Sequence, residues 1–315
     1  MTNLNRRSVL KATSVAGLTA LPVSACALEK TSQKRDSKQT VRPRFGKDHA
    51  WLMPANFGSP KWGGDAPYPD TMGSASYGSE TAISLSYLTD AKQLLQYIPE
   101  PYELNGDPVV TITYGRNQQI NWLAGGEYNI LKVSVDAVYS GEIDRVSGGY
   151  VLVLWENLTD PILPGRELQG MPKIYAEIEN HRIYNGVWTT TLSKNGKTML
   201  NLRAENLKPL NGEELERFKE RRRQAGMLGW KYIPGEQAAD APLLSYATEY
   251  PIITEFDEVW TAEGAFEWHP QTWHDNPTQS HIVNALHSLP IKKLLSCTVT
   301  TATKQLLVGN VRRLR

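Results

Sequence analysis

"RIYNGVWTTTLSKNGKTMLNLRA", residues 182–204, carries the clearest fold signal in the chain. Its two ends, 182–192 and 197–204, are rich in β-branched and aromatic residues, which favour β-strands. Asn195 and Gly196 lie between them, and an Asn-Gly pair in this position indicates a β-hairpin because both central residues of a type I′ turn need a positive φ. The two segments are therefore predicted to pair antiparallel.

Similar strand patterns recur on both sides of this hairpin. Helices are predicted in three places only: after Thr89 or Asp90 as cap, after Asn211 as cap, and near 278–289. Hairpins with occasional short helices, and no regular strand-helix-strand repeat, predict an α+β fold that is mainly antiparallel. The further predicted strands are 81–88, 108–115, 128–139, 149–157, 173–179, 252–262 and 297–308.

The N-terminus has the composition of an export signal. "NRRSVLK", residues 5–11, precedes an uncharged, weakly apolar segment that ends in small residues, which is typical of a twin-arginine signal over residues 1–27. "VSAC", residues 23–26, resembles a bacterial lipobox, in which Cys26 would carry the lipid anchor. Simple cleavage after Ala27, giving a soluble periplasmic or secreted protein, stays open.

The rest of the chain divides in two by composition. Residues 28–80 are first polar and then rich in Gly, Pro and Ser, which predicts a flexible tether followed by an irregular segment. Residues 81–315 are predicted to form one domain, and a chain of 315 residues with 40% hydrophobic residues can bury a sizeable core.

Charge and cysteine content exclude several classes of function. The formal net charge of the chain is +1. Three of its positive charges, Arg6, Arg7 and Lys11, belong to the predicted signal, so the rest of the chain has a net charge of −2. Without a basic excess, no nucleic-acid partner is expected. Cys297 is the only cysteine beyond the signal, so neither an internal disulfide nor a thiolate metal cluster is predicted, and no metal site is expected.

Lys173 is the candidate for chemistry within "GRELQGMPKIYAEI", residues 165–178. On a strand, alternation places Lys173 on the same face as Tyr175 and Glu177. The pattern leaves two interpretations open. Lys173 is either a solvated lysine on the wet face, or an amine in a closed apolar cavity, where desolvation lowers its pKa and the neutral form attacks a carbonyl to give a Schiff base.

The segment "LTDPILPGRELQGMPK" resembles the acetoacetate decarboxylase family, whose hallmark is Gly-Arg-Glu followed closely by Pro-Lys. These are residues 165–167 and 172–173 here. The similarity continues in the same order over roughly residues 80–310, and the further similar segments are 87–104, 232–235, 253–264 and 284–298.

The resemblance implies a largely antiparallel, barrel-like fold with peripheral helices, a homo-oligomer, and a cofactor-free mechanism on a small-molecule carbonyl substrate. Lys173 would be the Schiff-base nucleophile for a small or medium β-keto acid, and Arg166 and Glu167 would help to build its site. Tyr128 and the adjacent Glu127 are the expected substrate-binding residues.

Three positions depart from the family pattern. Ile174 replaces a second lysine, Ile130 stands where an acid is expected two positions after a tyrosine, and Glu80 lies near the position of an expected arginine. Ile174 should be a mild change, because its side chain diverges from that of Lys173 on a strand. The missing acid is more serious because proton transfer needs a positioned group. The alternatives are therefore aldolase, dehydratase or hydratase chemistry on the same fold, or a non-catalytic, exported ligand-binding protein.

Overall fold

The structure is a computed structural model that describes Leu52 and residues 74–222, 226–237 and 239–315. The predicted export signal, the lipidation site Cys26 and nearly all of the predicted tether lie outside the described residues, so they stay predictions, as does the homo-oligomer. No helix in the described part of the chain has the length and apolar character needed to cross a bilayer.

Strands dominate the described residues, and fifteen of them join in one sheet. The strands are β1 (Ala75–Leu88), β2 (Tyr102–Leu104), β3 (Val109–Ile120), β4 (Gly126–Ser140), β5 (Arg145–Glu156), β6 (Lys173–Tyr175), β7 (Glu177–Ile178), β8 (Arg182–Tyr184), β9 (Val187–Lys194), β10 (Lys197–Pro209), β11 (Met227–Ile233), β12 (Leu244–Tyr250), β13 (Ile252–Trp268), β14 (Lys293–Leu306) and β15 (Arg312–Arg313). The α-helices are α1 (Ala91–Leu94), α2 (Ile162–Glu167), α3 (Gly212–Arg222) and α4 (Ser280–Ser288), and short 3-10 turns span Leu95–Tyr97, Asn121–Leu123 and Val308–Asn310.

The sheet runs in the order β15-β12-β11-β5-β4-β3-β1-β14-β13-β10-β9-β7, with β2 beside β4, β6 beside β5 and β8 beside β9. Its pairs are antiparallel except for β5 with β6 and β5 with β11. The mainly antiparallel α+β prediction is confirmed. The sheet is not closed into a barrel, because the two strands at the ends of this order, β7 and β15, are only two residues long and do not pair with each other.

The hairpin prediction is confirmed for β9 and β10, which pair antiparallel on either side of Asn195 and Gly196. Both turn residues have positive φ, 52° and 72°. The prediction of one strand over 182–192 is wrong, because the same segment holds a second Asn-Gly pair. Asn185 and Gly186 also have positive φ, and they turn the chain between β8 and β9.

The first strand begins at Ala75 rather than at residue 81, so residues 75–80 belong to the sheet and not to the irregular segment predicted there. Lys304 and Ala302 lie on one face of β14, and they pair with Tyr77 and Glu80 of β1. The extra residue between Tyr77 and Glu80 is a β-bulge that brings both side chains to that same face.

Two hydrophobic clusters lie on the sheet. The larger contains Ile83, Trp155 and Val299 and packs against α4 through Val283. The smaller, called here the second core, contains Tyr77, Tyr128, Leu154 and Met171 among its members. The candidate site described below lies beside this second core.

The turn at Gly196 provides a test of the hairpin. Its φ of 72° is in the left-handed region and no atom lies near the position of an added Cβ, so Gly196→Ala introduces backbone strain alone. We expect the free energy of unfolding, measured by denaturant titration, to fall by about 1 kcal/mol. The matched control is Gly149→Ala in β5, where an added Cβ makes only ordinary contact with Ser134 at 3.8 Å. Equal stability of the two variants would contradict the left-handed turn.

Candidate active site

Lys173 is buried, with only 6% of its surface exposed, so the interpretation as a solvated strand lysine is wrong. Its Nζ donates a hydrogen bond to the carbonyl oxygen of Pro161 at 3.0 Å and lies 3.0 Å from Oε1 of Glu156. The amine thus lies in a buried site that contains a carboxylate, and not in the purely apolar cavity that the second interpretation assumed.

The local chain path explains how Lys173 reaches this position. Helix α2 follows Pro161, and Pro164 is tolerated there because it lies in the first turn. The chain then folds back, with the Met171 N–H donating to the Gly165 carbonyl at 2.9 Å. The Leu154 N–H donates to the Pro172 carbonyl at 3.1 Å, which starts the parallel pairing of β6 with β5. The family motif thus forms a helix, a turn and a strand.

Gly165 supplies the space that the lysine side chain occupies. A Cβ at this position would lie 2.3 Å from Cδ and 2.9 Å from Nζ of Lys173, which is closer than van der Waals contact allows. The first glycine of the motif is therefore required by the close approach of Lys173 to the α2 backbone.

The other two motif residues differ in their relation to Lys173. Arg166 is exposed, and its Nη1 donates to the backbone carbonyl of Lys173 at 2.9 Å, so it holds the lysine backbone and not the amine. Glu167 is half-buried, and its side chain makes no hydrogen bond or ion pair with any residue that the structure describes. The structure thus joins Arg166 to the Lys173 backbone and shows neither a hydrogen bond nor an ion pair between Glu167 and Lys173.

Glu156 is the candidate site residue that the sequence did not predict. It ends β5, is 1% exposed, and its Oε2 has no hydrogen-bond partner within the described residues. Burial raises the pKa of its carboxyl group, and the charge of Lys173 acts in the opposite direction. One signal was available: Glu156 ends the apolar run "YVLVLW", and a strand that is apolar on both faces is buried, so an acid at its end needs a buried partner.

Two buried carboxylates lie near Ile130, the position at which the family pattern has an acid. Glu156 is the direct cross-strand neighbour of Ile130 on β5. On β1, Glu80 is 2% exposed and paired with Lys304. A Cβ on Gly115 would lie 2.9 Å from Glu80 Oε1 and 3.1 Å from Ile130 Cγ1, so both side chains pack over this glycine.

Tyr128 lies at this site and Glu127 does not. The Tyr128 hydroxyl hydrogen-bonds to that of Tyr77 at 2.8 Å, and burial together with the charge of Glu156 raises the pKa of both phenols. Both therefore stay protonated at neutral pH and can donate hydrogen bonds. Glu127 points to the opposite face, where it is exposed and binds Arg116 at 2.8 Å, so the structure does not bring it to Lys173.

Ile174 packs against the larger hydrophobic cluster, whereas Lys173 points to Glu156 on the other face, as alternation on a strand requires. A lysine at position 174 would thus lie on the face away from the amine. In the part of the chain that the structure describes, no three His, Cys, Asp or Glu side chains are placed to bind a metal ion.

The chain is similar to known proteins over most of its length. The model of the family "Acetoacetate decarboxylase (ADC)" matches residues 53–313. An acetoacetate decarboxylase of Burkholderia mallei is 30% identical over 106 residues, and the matched stretch covers 34% of this chain and 40% of that protein. The Decarboxylase DEC1 of Cochliobolus heterostrophus is 30% identical over 100 residues, covering 32% of this chain and 37% of its own length.

Solved structures show the same fold at lower identity. The acetoacetate decarboxylase of Legionella pneumophila superposes with a TM-score of 0.64 at 22% identity, over 77% of this chain and 88% of its own. The enduracididine biosynthesis enzyme MppR, in complex with pyruvate, has a TM-score of 0.60 at 13% identity, over 82% and 99% of the two chains. With its family model matched over most of its length and its fold shared with these structures, the chain belongs to the acetoacetate decarboxylase family.

Proposed function

We propose that the protein is a Schiff-base-forming lyase that decarboxylates a small or medium β-keto acid through Lys173. One observation carries the proposal: a buried primary amine lies 3.0 Å from a buried carboxylate whose second oxygen has no hydrogen-bond partner within the described residues. The amine is the nucleophile, and the carboxylate is positioned to accept and return its protons.

Imine formation uses both groups. Glu156 takes a proton from the Lys173 ammonium, and the neutral amine attacks the keto carbon, forming the N–C bond. A second proton moves from the nitrogen to the oxygen to give the neutral carbinolamine. Glu156 then returns its proton to the hydroxyl group, which leaves as water and generates the iminium. The raised pKa of the Glu156 carboxyl group suits this exchange, because it brings the acid closer to neutral pH.

Decarboxylation then needs an electron acceptor and a proton donor. The bond between the α-carbon and the substrate carboxylate breaks, carbon dioxide leaves, and the electron pair moves into the iminium to give an enamine. Glu156, which has taken up a proton from solvent after the imine formed, delivers that proton to the α-carbon. Addition of water to the new iminium then releases the ketone and restores the Lys173 ammonium. Tyr128, which stays protonated, donates a hydrogen bond to the reacting substrate.

A second candidate is the same imine chemistry without decarboxylation: aldol, dehydration or hydration reactions. The apolar Ile130 beside Glu156 favours it, because the acid expected there is absent. The loss of chemistry altogether, with ligand binding retained, is the third alternative. Product analysis separates them, since only the decarboxylase releases carbon dioxide and a ketone.

Borohydride trapping tests the nucleophile. With a panel of β-keto acids, we expect a reduced adduct on Lys173, located by peptide mass spectrometry, and no adduct in Lys173→Arg, because a guanidinium does not form the imine. Lys231→Arg is the matched control, since Lys231 lies near the motif and donates to the Leu168 carbonyl. The proposal is wrong if no β-keto acid gives an adduct on Lys173.

Glu156→Gln tests the proton carrier. We expect the rate of carbon dioxide release to fall by about 10²–10⁴-fold, because the amide cannot exchange the proton. Glu156→Asp should recover part of the rate, and Glu179→Gln, an exposed acid paired with Arg182, should have no effect. A Glu156→Gln variant with the unchanged rate would assign the proton transfers to another group.

Gly165→Ala tests the close packing of the amine against α2. The added methyl group overlaps the lysine side chain, so the rate of adduct trapping should fall by about 10²-fold through misplacement of the amine. Pro164→Ala, at the preceding helix residue, adds no atom and should be trapped at the wild-type rate. Equal trapping rates in the two variants would show that Lys173 adopts another path when the substrate binds.

A further inference from the structure

A cavity of about 450 Å³ lies between α3 and the sheet. Eight serine and threonine side chains line it, among them Ser84, Thr113 and Thr300. Covered positions on a sheet face are ordinarily apolar. A lining of hydroxyl groups therefore indicates a space built for a polar molecule rather than a part of the core.

The cavity lies on the face of the sheet that carries Lys173, although Lys173 and Glu156 are not among its lining residues. Lys132, which lines it, pairs across the strands with Leu154, and Leu154 pairs with Lys173. Lys132 and Lys173 thus lie in one row and on one face, two strands apart, which corresponds to about 10 Å between their Cα atoms. Glu80, which packs over Gly115 beside Ile130, also lines the cavity.

The cavity is lined by more cationic side chains than carboxylates. Its cations are Lys132, Lys304 and Arg222, and its carboxylates are Glu80 and Asp136. Lys304 is paired with Glu80. No carboxylate among the described residues lies within ion-pair distance of Lys132, so this amine faces the cavity without a partner. Burial, and then the charge of Lys304, lowers the pKa of Lys132 to about 8, which leaves it mainly protonated at neutral pH.

We propose that this cavity holds the part of the substrate remote from the reacting carbonyl, and that Lys132 binds an anionic group on that part. The inference rests on the proposed role of Lys173 as nucleophile. It narrows the substrate to a keto acid whose chain ends in a second carboxylate and is long enough to reach from Lys173 to the Lys132 amine. The hydroxyl groups along the cavity would contact polar atoms of that chain.

Two probes of equal carbon number test the proposal: 3-oxopimelate, which ends in a carboxylate, and 3-oxoheptanoate, which ends in a methyl group. The readout is the concentration that gives half-maximal borohydride trapping on Lys173. We expect this concentration to be about tenfold or more lower for 3-oxopimelate, which is the effect of one charge-assisted hydrogen bond. Equal values for the two probes would overturn the proposal and leave the proposed function standing.

Variants assign the preference to Lys132. Lys132→Met should abolish the difference between the two probes, because the anion-binding amine is then absent. Lys132→Arg should retain the difference, and so should Lys208→Gln, which removes an exposed lysine of β10. A difference that persists in Lys132→Met would place the anion elsewhere. If Lys132→Met does not fold, the pH dependence of the wild-type protein tests the role of Lys132. The difference between the two probes should shrink as the pH rises above about 8, because the Lys132 amine then loses its proton.

The outcome without trapping is also decisive. If neither probe forms an adduct, the proposed function fails, and calorimetry with pimelate and heptanoate tests the cavity alone. Tighter binding of pimelate that is lost in Lys132→Met would support the anion site independently of the chemistry. Equal binding of the two acids would overturn it.

Discussion

The buried ion pair between Lys173 and Glu156 is the constraint on which the rest of the site depends. Two charges removed from water are costly unless each has a close partner, and removing one partner leaves the other uncompensated. The pairing of β6 with β5 places the two residues on one face, Gly165 leaves room for the lysine stem, and the Pro161 carbonyl accepts a second hydrogen bond from the amine. The second oxygen of Glu156 then has no hydrogen-bond partner within the described part of the chain.

The position of the carboxylates changes the meaning of the departures from the family pattern. Position 130 holds an isoleucine where an acid is expected, yet its cross-strand neighbour on β5 is Glu156. Glu80 on β1 packs over Gly115 together with Ile130. Carboxylate side chains are thus present on the face of the sheet that carries Ile130, but they come from other strands. The bulge in β1 has a comparable effect, because it brings Tyr77 and Glu80 to the face that carries Tyr128 and the cavity.

Much of the sheet could be predicted because strand alternation and Asn-Gly turns are local signals. The turn at Asn185 and Gly186 carried the same signal as the one at Asn195 and was missed only because strand composition surrounds it. The short α2 could not be predicted in this way: its six residues include a proline and a glycine, and its conformation depends on the packing of the motif against β5 and β6. Residues 75–80 were missed because the bulge interrupts their alternation.

The sequence by itself determined the antiparallel strands, the hairpin at Gly196 and the identity of Lys173 as the residue to examine, because each depends on neighbours along the chain or on a contiguous motif. The sequence could not decide whether Lys173 is solvated. Strand alternation predicts on which face of the sheet a side chain lies, but not whether other residues cover that face. Only the tertiary structure shows that Lys173 is paired with Glu156, that Glu127 lies on the opposite face, and that Lys132 lies in the same row as Lys173. These relations depend on strand register across the sheet, which is a property of pairing between distant segments.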